Sequence, residues 1–168
     1  MKYSIKKLFI ILVSMTTIIS MFANDSRTYP GAMGYAMYGA SSRVYKTSGT
    51  LQNNDSTNSL FVGLPVVHDA TEDEVDHAYI GVIDQHPTQN IKGRLWIKQT
   101  NIWWSSPSDS SRGHSYSDQL LHFGDVIETS EWGGGRRQYY FQVSLPPKYN
   151  GKASKIYNYH IKEGTGLF

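Results

Sequence analysis

Short apolar runs separated by turn-forming residues recur from Gly34 onward at a spacing of roughly ten residues, the pattern of many short strands. The most distinct is Leu60-Phe61-Val62-Gly63-Leu64-Pro65-Val66-Val67-His68-Asp69, rich in β-branched and aromatic residues and closed by a polar pair. It reads as a central strand, and Pro65, which has no backbone donor, must interrupt or turn the ladder. The run from Tyr139 to Pro147 repeats its Val-x-Leu-Pro ending, so two long inner strands are expected to leave the core in the same way. His77 to Asp84 is apolar on both faces and reads as buried. Between Ile91 and Gln99 the alternation is clean. Gly93, Leu95 and Ile97 point one way and Lys92, Arg94, Trp96 and Lys98 the other, as in a strand with one solvated face.

The remaining segments fit between these. Residues from Asn24 to about Gly31 are polar and read as loose, Gly34 to Gly39 as a first strand, and Val44 to Leu51 as an edge strand. Asn53 to Asn58 is a turn cluster whose side chains compete for their own backbone. Ala70 to Asp76 is an acidic connection, and His86 to Asn90 is a turn. Ser105 to Ser117, rich in Ser, Asp, Gly and Pro, reads as a long mobile loop. Leu120 to Thr129 resumes a strand signal, Gly133-Gly134-Gly135 breaks it, and Gln138 to Leu145 is the second inner strand. Pro146 to Ser154 turns, and Ile156 to Ile161 closes the sheet. No helix-period stretch of useful length follows the N-terminal segment, so the expected fold is an all-β antiparallel sandwich, jelly-roll or Ig-like, rather than a closed barrel.

Lys2, Lys6 and Lys7 precede an apolar stretch from Leu8 to Ile19, and Ala23 offers a small residue for cleavage. Residues 1–23 thus read as a signal peptide and 24–168 as one domain, secreted or periplasmic. The apolar stretch is short for a bilayer span, and no stop-transfer pattern follows it. With Lys2, Lys6 and Lys7 set aside, thirteen basic residues face fourteen acidic ones. That balance leaves no electrostatic footprint for nucleic acid, and no like-charge block suggests a membrane-binding arm. About 145 residues can bury a real core, and with no cysteine anywhere the domain must hold by packing alone.

Candidate chemistry is sparse. His68 with Asp69, His77 and His86 could meet at one end of a sheet, but none has a recognised metal-ligand spacing, and solvated loop histidines explain them. Glu128 and Glu131 beside Trp132 could form a carboxylate pair for sugar hydrolysis, though no spacing in sequence fixes their separation. There is no Gly-x-Ser-x-Gly elbow and no nucleophilic cysteine. No metal, cofactor or catalytic residue is assigned, and an enzyme is not expected. Aromatic residues say more: Trp96, Trp103, Trp104, Tyr116 and Trp132 gather around the one long polar loop, as ligand-binding candidates. Exposed aromatic faces on a β scaffold grip sugar rings or partner proteins. Tryptophans at strand ends also commonly cover an open core edge, and that alternative stays open.

The segments Leu64-Pro65-Val66-Val67-His68-Asp69, Tyr79 to Asp84, Asn90 to Leu95 and Tyr139 to Pro147 together resemble a group of small, uncharacterised secreted bacterial β-sandwich proteins with a Cys-Pro-x-x-Arg-Asp core motif. The likeness covers nearly the whole chain after the signal segment, from Tyr29 to Glu163. It departs from the group where Gly34, Leu64, Gly93 and Val143 stand in place of cysteines and His68 in place of the arginine. The resemblance implies a fold and a compartment but no activity. It also implies two replaced disulfides, paired on this view as Gly34 with Leu64 and Gly93 with Val143, each glycine making room for an aliphatic side chain.

Together these features describe a binding or surface-interaction module for a glycan or protein partner, such as a carbohydrate-binding module or a toxin component. A hydrolase acting on extracellular polysaccharide is the alternative from another class. The N-terminus of the exported protein is expected close to Asn24, which intact-mass measurement checks; full-length chain in the medium would contradict it.

Overall fold

The computed structural model describes residues 25–67, 74–99, 102–123 and 137–164. They form twelve strands: β1 (Asp25–Pro30), β2 (Tyr35–Ala36), β3 (Val44–Thr47), β4 (Thr50–Asn53), β5 (Leu60–Pro65), β6 (Glu74–Ile83), β7 (Lys92–Gln99), β8 (Ile102–Ser105), β9 (Asp109–Ser110), β10 (Gln119–His122), β11 (Arg137–Leu145) and β12 (Lys155–Gly164). Two six-stranded antiparallel sheets result. The first runs β10-β6-β12-β4-β3, with β1 sharing the β4 edge of β12. The second runs β2-β5-β11-β7-β8, with β9 continuing the β8 edge along β7. The chain is an antiparallel β-sandwich.

Alternation explains the core. Leu60, Val62 and Leu64 of β5, Phe141, Val143 and Leu145 of β11, and Leu95 and Ile97 of β7 all turn inward and are buried. Ile80 and Val82 of β6 and Ile156, Tyr159 and Ile161 of β12 meet them from the other sheet. Each such side chain contributes about 1.5 to 3 kcal/mol on burial, the cohesion available to a domain without crosslinks. Tyr159 also ties the layers, donating its hydroxyl to the Pro65 carbonyl at 2.7 Å. Burial, with Tyr29 alongside, pushes that phenol up, so it remains a donor.

Several segments differ from expectation. The polar stretch before Gly31 is not loose, because Asp25 to Pro30 pair in register with Glu163 to Asn158. Val44 to Leu51 is a hairpin rather than one edge strand: Ser48 and Gly49 both take positive φ (45° and 80°), the tight reversal that lets β3 pair with β4. The strand expected from Gly34 shrinks to β2, cut short by another reversal at Tyr38 and Gly39. β5 and β11 pair antiparallel, Val62 opposite Val143, so the two Val-x-Leu-Pro endings leave the core at opposite ends. β6 begins at Glu74, within the expected acidic connection. His68, Asp69, Glu128, Glu131, Trp132, Gly133 to Gly135 and residues 1–23, expected as a signal peptide, lie outside the described residues.

The pairs implied by the resemblance are neighbours. A side-chain carbon added at Gly34 would lie 2.7 Å from Leu64 Cδ2, and Gly93 stands opposite Val143 in the β7–β11 register. The space at Gly93 is filled from the other sheet, however, since an added carbon there would lie 2.8 Å from Phe123 Cζ. Phe123, rather than Val143, occupies the room that glycine leaves.

The expected loop from Ser105 to Ser117 is laced to the β7 edge. Ser106 donates its backbone N–H to Leu95 O at 2.9 Å and accepts from Leu95 N–H on its hydroxyl at 3.0 Å. Ser111 repeats this with Ile91, at 2.9 Å each way. Ser111 also donates to Asp84, a fully buried carboxylate that accepts from Ser154 Oγ at 2.9 Å and from the His86 and Ile91 N–H groups at 3.0 and 3.3 Å. One acid thus joins the end of β6, the start of β7, the serine-rich loop and the approach to β12. Asp84→Ala leaves those donors buried without an acceptor and is expected to cost roughly 3 to 5 kcal/mol in urea unfolding. A loss under about 1 kcal/mol would mean that solvent already satisfies them.

Candidate functional site

Because β11 lies between β5 and β7, every second residue of three adjacent strands faces outward together. The registers align them in rows. Pro65, Tyr140, Trp96 and Ser105 form one; Tyr35, Gly63, Gln142 and Arg94 the next; Phe61, Ser144 and Lys92 a third; Gln138, Lys98 and Trp103 a fourth. The outer face of the second sheet is therefore rich in rings.

Those rings touch. Trp96 stacks on Tyr140 at 6.5 Å, and Trp103 meets both edge-on at 6.5 and 6.4 Å. Tyr35 lies over Gly63, where a side-chain carbon would come within 2.5 Å of its ring. Tyr38 packs edge-on against Phe61 at 5.7 Å. None of this buries the face: Tyr35, Tyr38, Phe61 and Trp103 remain 49, 76, 43 and 53% exposed.

Polar groups run through the middle. Trp96 Nε1 donates to Gln142 Oε1 at 2.9 Å, and Gln142 Nε2 donates to the Tyr38 hydroxyl at 3.1 Å. The Tyr38 oxygen is thereby engaged as an acceptor, which leaves its proton available to donate. Tyr38 is held by the Met37–Ala40 turn with φ 56°, a conformation that a bulky side chain adopts at a cost and that often marks function. Partial burial pushes the Tyr140 phenol up, and Tyr35 and Tyr38 add to it, so this hydroxyl too stays protonated. At one end the face opens into a polar cleft of about 390 Å³, lined by Ser59, Thr88, Gln89, Asn90, Lys92, Ser144 and Pro146.

The aromatic residues singled out from sequence separate here. Trp96 and Trp103 come together on the outer face. Trp104, one residue on, pairs with Ile97 and so turns inward, half-buried against the core. Strand parity divides two adjacent tryptophans. Tyr116 lies elsewhere, in a cleft of about 280 Å³ with Gln85, Pro87, His114, Tyr149, Asn150 and Lys152. Its ring meets His114 at 4.8 Å, and Lys152 Nζ sits over it at 4.8 Å. The four described residues of that set therefore do not share one loop surface, because β8 and β9 pin the loop along β7.

Of the candidate histidines, the two described ones are apart. His77 and His86 lie toward opposite ends of β6, and His86 is a turn organiser whose Nδ1 accepts from Thr88 and Gln89 N–H at 3.3 and 2.9 Å. Sequence reasoning missed Tyr35, Tyr38, Phe61, Tyr140 and Gln142. For Phe61, Tyr140 and Gln142 the signal was present, since each falls between buried neighbours in a strand that was recognised.

No family model matches the chain, and no curated protein matches it in sequence. Solved structures match it in fold. A xylan-binding module, CBM15, aligns with TM-score 0.54 and 12% identity over 84% of this chain and 97% of the module. The CBM36-1 domain of a multidomain xylanase from the hindgut metagenome of Trinervitermes trinervoides gives 0.49 and 10%, over 85% of this chain and 100% of that domain. A family two carbohydrate esterase from Cellvibrio japonicus gives 0.48 and 8% over 83% of this chain, which spans 34% of the esterase chain, about a third of its length. At such identities the likeness is one of fold, and it rests on the first of the three.

The split between the adjacent tryptophans is measurable. Trp103→Ala is expected to change stability by no more than about 1 kcal/mol, and Trp104→Ala to cost roughly 2 to 4 kcal/mol through lost core cover. Urea unfolding of both variants checks this, and equal losses would contradict the inward turn of Trp104.

Proposed function

We propose that the protein is a secreted or periplasmic binding module that grips a glycan chain across the outer face of its second sheet. The observation that carries this is the outward set of rings, Tyr35, Tyr38, Phe61 and Trp103 exposed and Trp96 and Tyr140 half-buried between them, threaded by the Trp96–Gln142–Tyr38 hydrogen-bond relay. A sugar ring has an apolar C–H face and an equator of hydroxyls. Rigid aromatic faces stack on the first at little entropic cost, while amide and phenol groups between them bond the second. A protein interface would favour an apolar centre with polar groups at the rim, whereas here Gln142 and Arg94 hold the middle.

The polar cleft beside Lys92 and Ser144 extends the face with further hydroxyl and amide partners. The similar fold of a module described as xylan-binding supports the compatibility of such a sandwich with a glycan site. No catalytic role is assigned to any residue.

Affinity electrophoresis of the purified protein through gels holding different polysaccharides tests the proposal. At least one polysaccharide should retard it, and Trp103→Ala and Tyr140→Ala should each weaken that retention by roughly 5- to 20-fold, the loss of one stacking surface. Retention unchanged in both variants, or no retention by any polysaccharide, would overturn it.

A further inference from the structure

We infer that the glycan taken by this face is anionic, carrying carboxylate or sulfate groups along its length; this rests on the glycan reading above. The formal charges at outward strand positions of the second sheet are all positive among the described residues: Lys92, Arg94 and Lys98, on β7. No carboxylate among the described residues pairs with any of them. The thirteen basic and fourteen acidic residues that follow the signal segment nearly balance, so this face departs from the chain as a whole.

The cations are part of the ring surface. Arg94 Cζ lies 5.8 Å from the centre of the Trp96 ring, and Lys98 Nζ lies 4.9 Å from that of Trp103. Outward side chains on a strand repeat every two residues, about 6.6 Å, so Lys92, Arg94, Trp96 and Lys98 make a ribbon about 20 Å long in which one ring lies between cations. Lys92 carries the ribbon into the polar cleft. A neutral sugar stacking on Trp103 must push the Lys98 ammonium off the indole and offers only hydroxyls in return. An anionic sugar displaces the same ammonium onto its own charged group, and the cation–π contact is exchanged for an ion pair. The planar fork of Arg94 fits a carboxylate or sulfate edge in two-point fashion.

Single-stranded nucleic acid would also use rings and cations. It is disfavoured because the three cations lie along a single strand, and the chain lacks the basic excess that such binding requires.

The test is retention of the purified protein by four probes: polygalacturonate, a sulfated galactan, a neutral β-glucan and a single-stranded oligonucleotide. At low salt, an anionic polysaccharide should bind at least about 10-fold more tightly than the neutral one, and the gap should close as salt shortens the screening length. Arg94→Gln with Lys98→Gln should weaken binding of the anionic polysaccharide at least about 5-fold more than that of the neutral one, whereas Trp103→Ala should weaken both in similar proportion. Preference for polygalacturonate assigns the charge to carboxylate, and preference for the galactan assigns it to sulfate; either supports the inference. Equal, salt-independent binding of neutral and anionic chains would overturn it while leaving the glycan site standing. No polysaccharide binding at all would remove both, and preference for the oligonucleotide would make the face a nucleic-acid surface.

Discussion

The register of β11 between β5 and β7 is the constraint on which the rest depends. Its odd-numbered residues from Tyr139 to Leu145 are buried, and Tyr140 and Gln142 between them stand at the centre of the outer face. A slip of one residue would carry the rings inward and Phe141 and Val143 into water. The hydrophobic core therefore does more than stabilise the sandwich. By fixing parity in three adjacent strands it fixes which side chains form the outer face proposed for binding, and that face inherits the rigidity of the sheet.

Without a disulfide, the ends of the sandwich need another fastening, and buried polar groups supply it. Asp84 gathers donors from four segments at one end of the core. Asn53, also fully buried, does comparable work near the end of β11, donating to Asn58 O at 2.8 Å and to Pro146 O at 3.1 Å while accepting from Asp55 N–H at 3.0 Å. Asp55 in turn caps its own turn, and the Thr57 and Asn58 N–H groups hold its carboxyl well below the usual range. These groups fix where β7 begins and where β5 and β11 meet their loops, so they position Lys92 and the polar cleft as well.

Much of this could be read from the residues because strands announce their parity. The alternation from Ile91 to Gln99 correctly put Lys92, Arg94, Trp96 and Lys98 on one solvated face. The two inner strands were recognisable from β-branched and aromatic content. What could not be read was long-range pairing and reversal. Asp25 to Pro30 look polar and loose, and only the distant Asn158 to Glu163 segment makes them a strand. Tyr38 reaches the face through a positive-φ turn that its own type disfavours, so propensity pointed away from it. Trp103 and Trp104 looked equivalent until the register of β8 set one outward and one inward. Tyr116 shares their loop in sequence, yet it packs with Lys152 from the connection before β12.

The claim that the outer face of the second sheet is the binding surface is tested most directly by mapping amide chemical shifts in isotope-labelled protein titrated with galacturonate and xylose oligomers. Saturable shifts should concentrate on the outward residues of β5, β7 and β11 and on the Met37–Ala40 turn. Shifts confined to the Tyr116, Tyr149 and Lys152 cleft, or to the outer face of the first sheet, would contradict it.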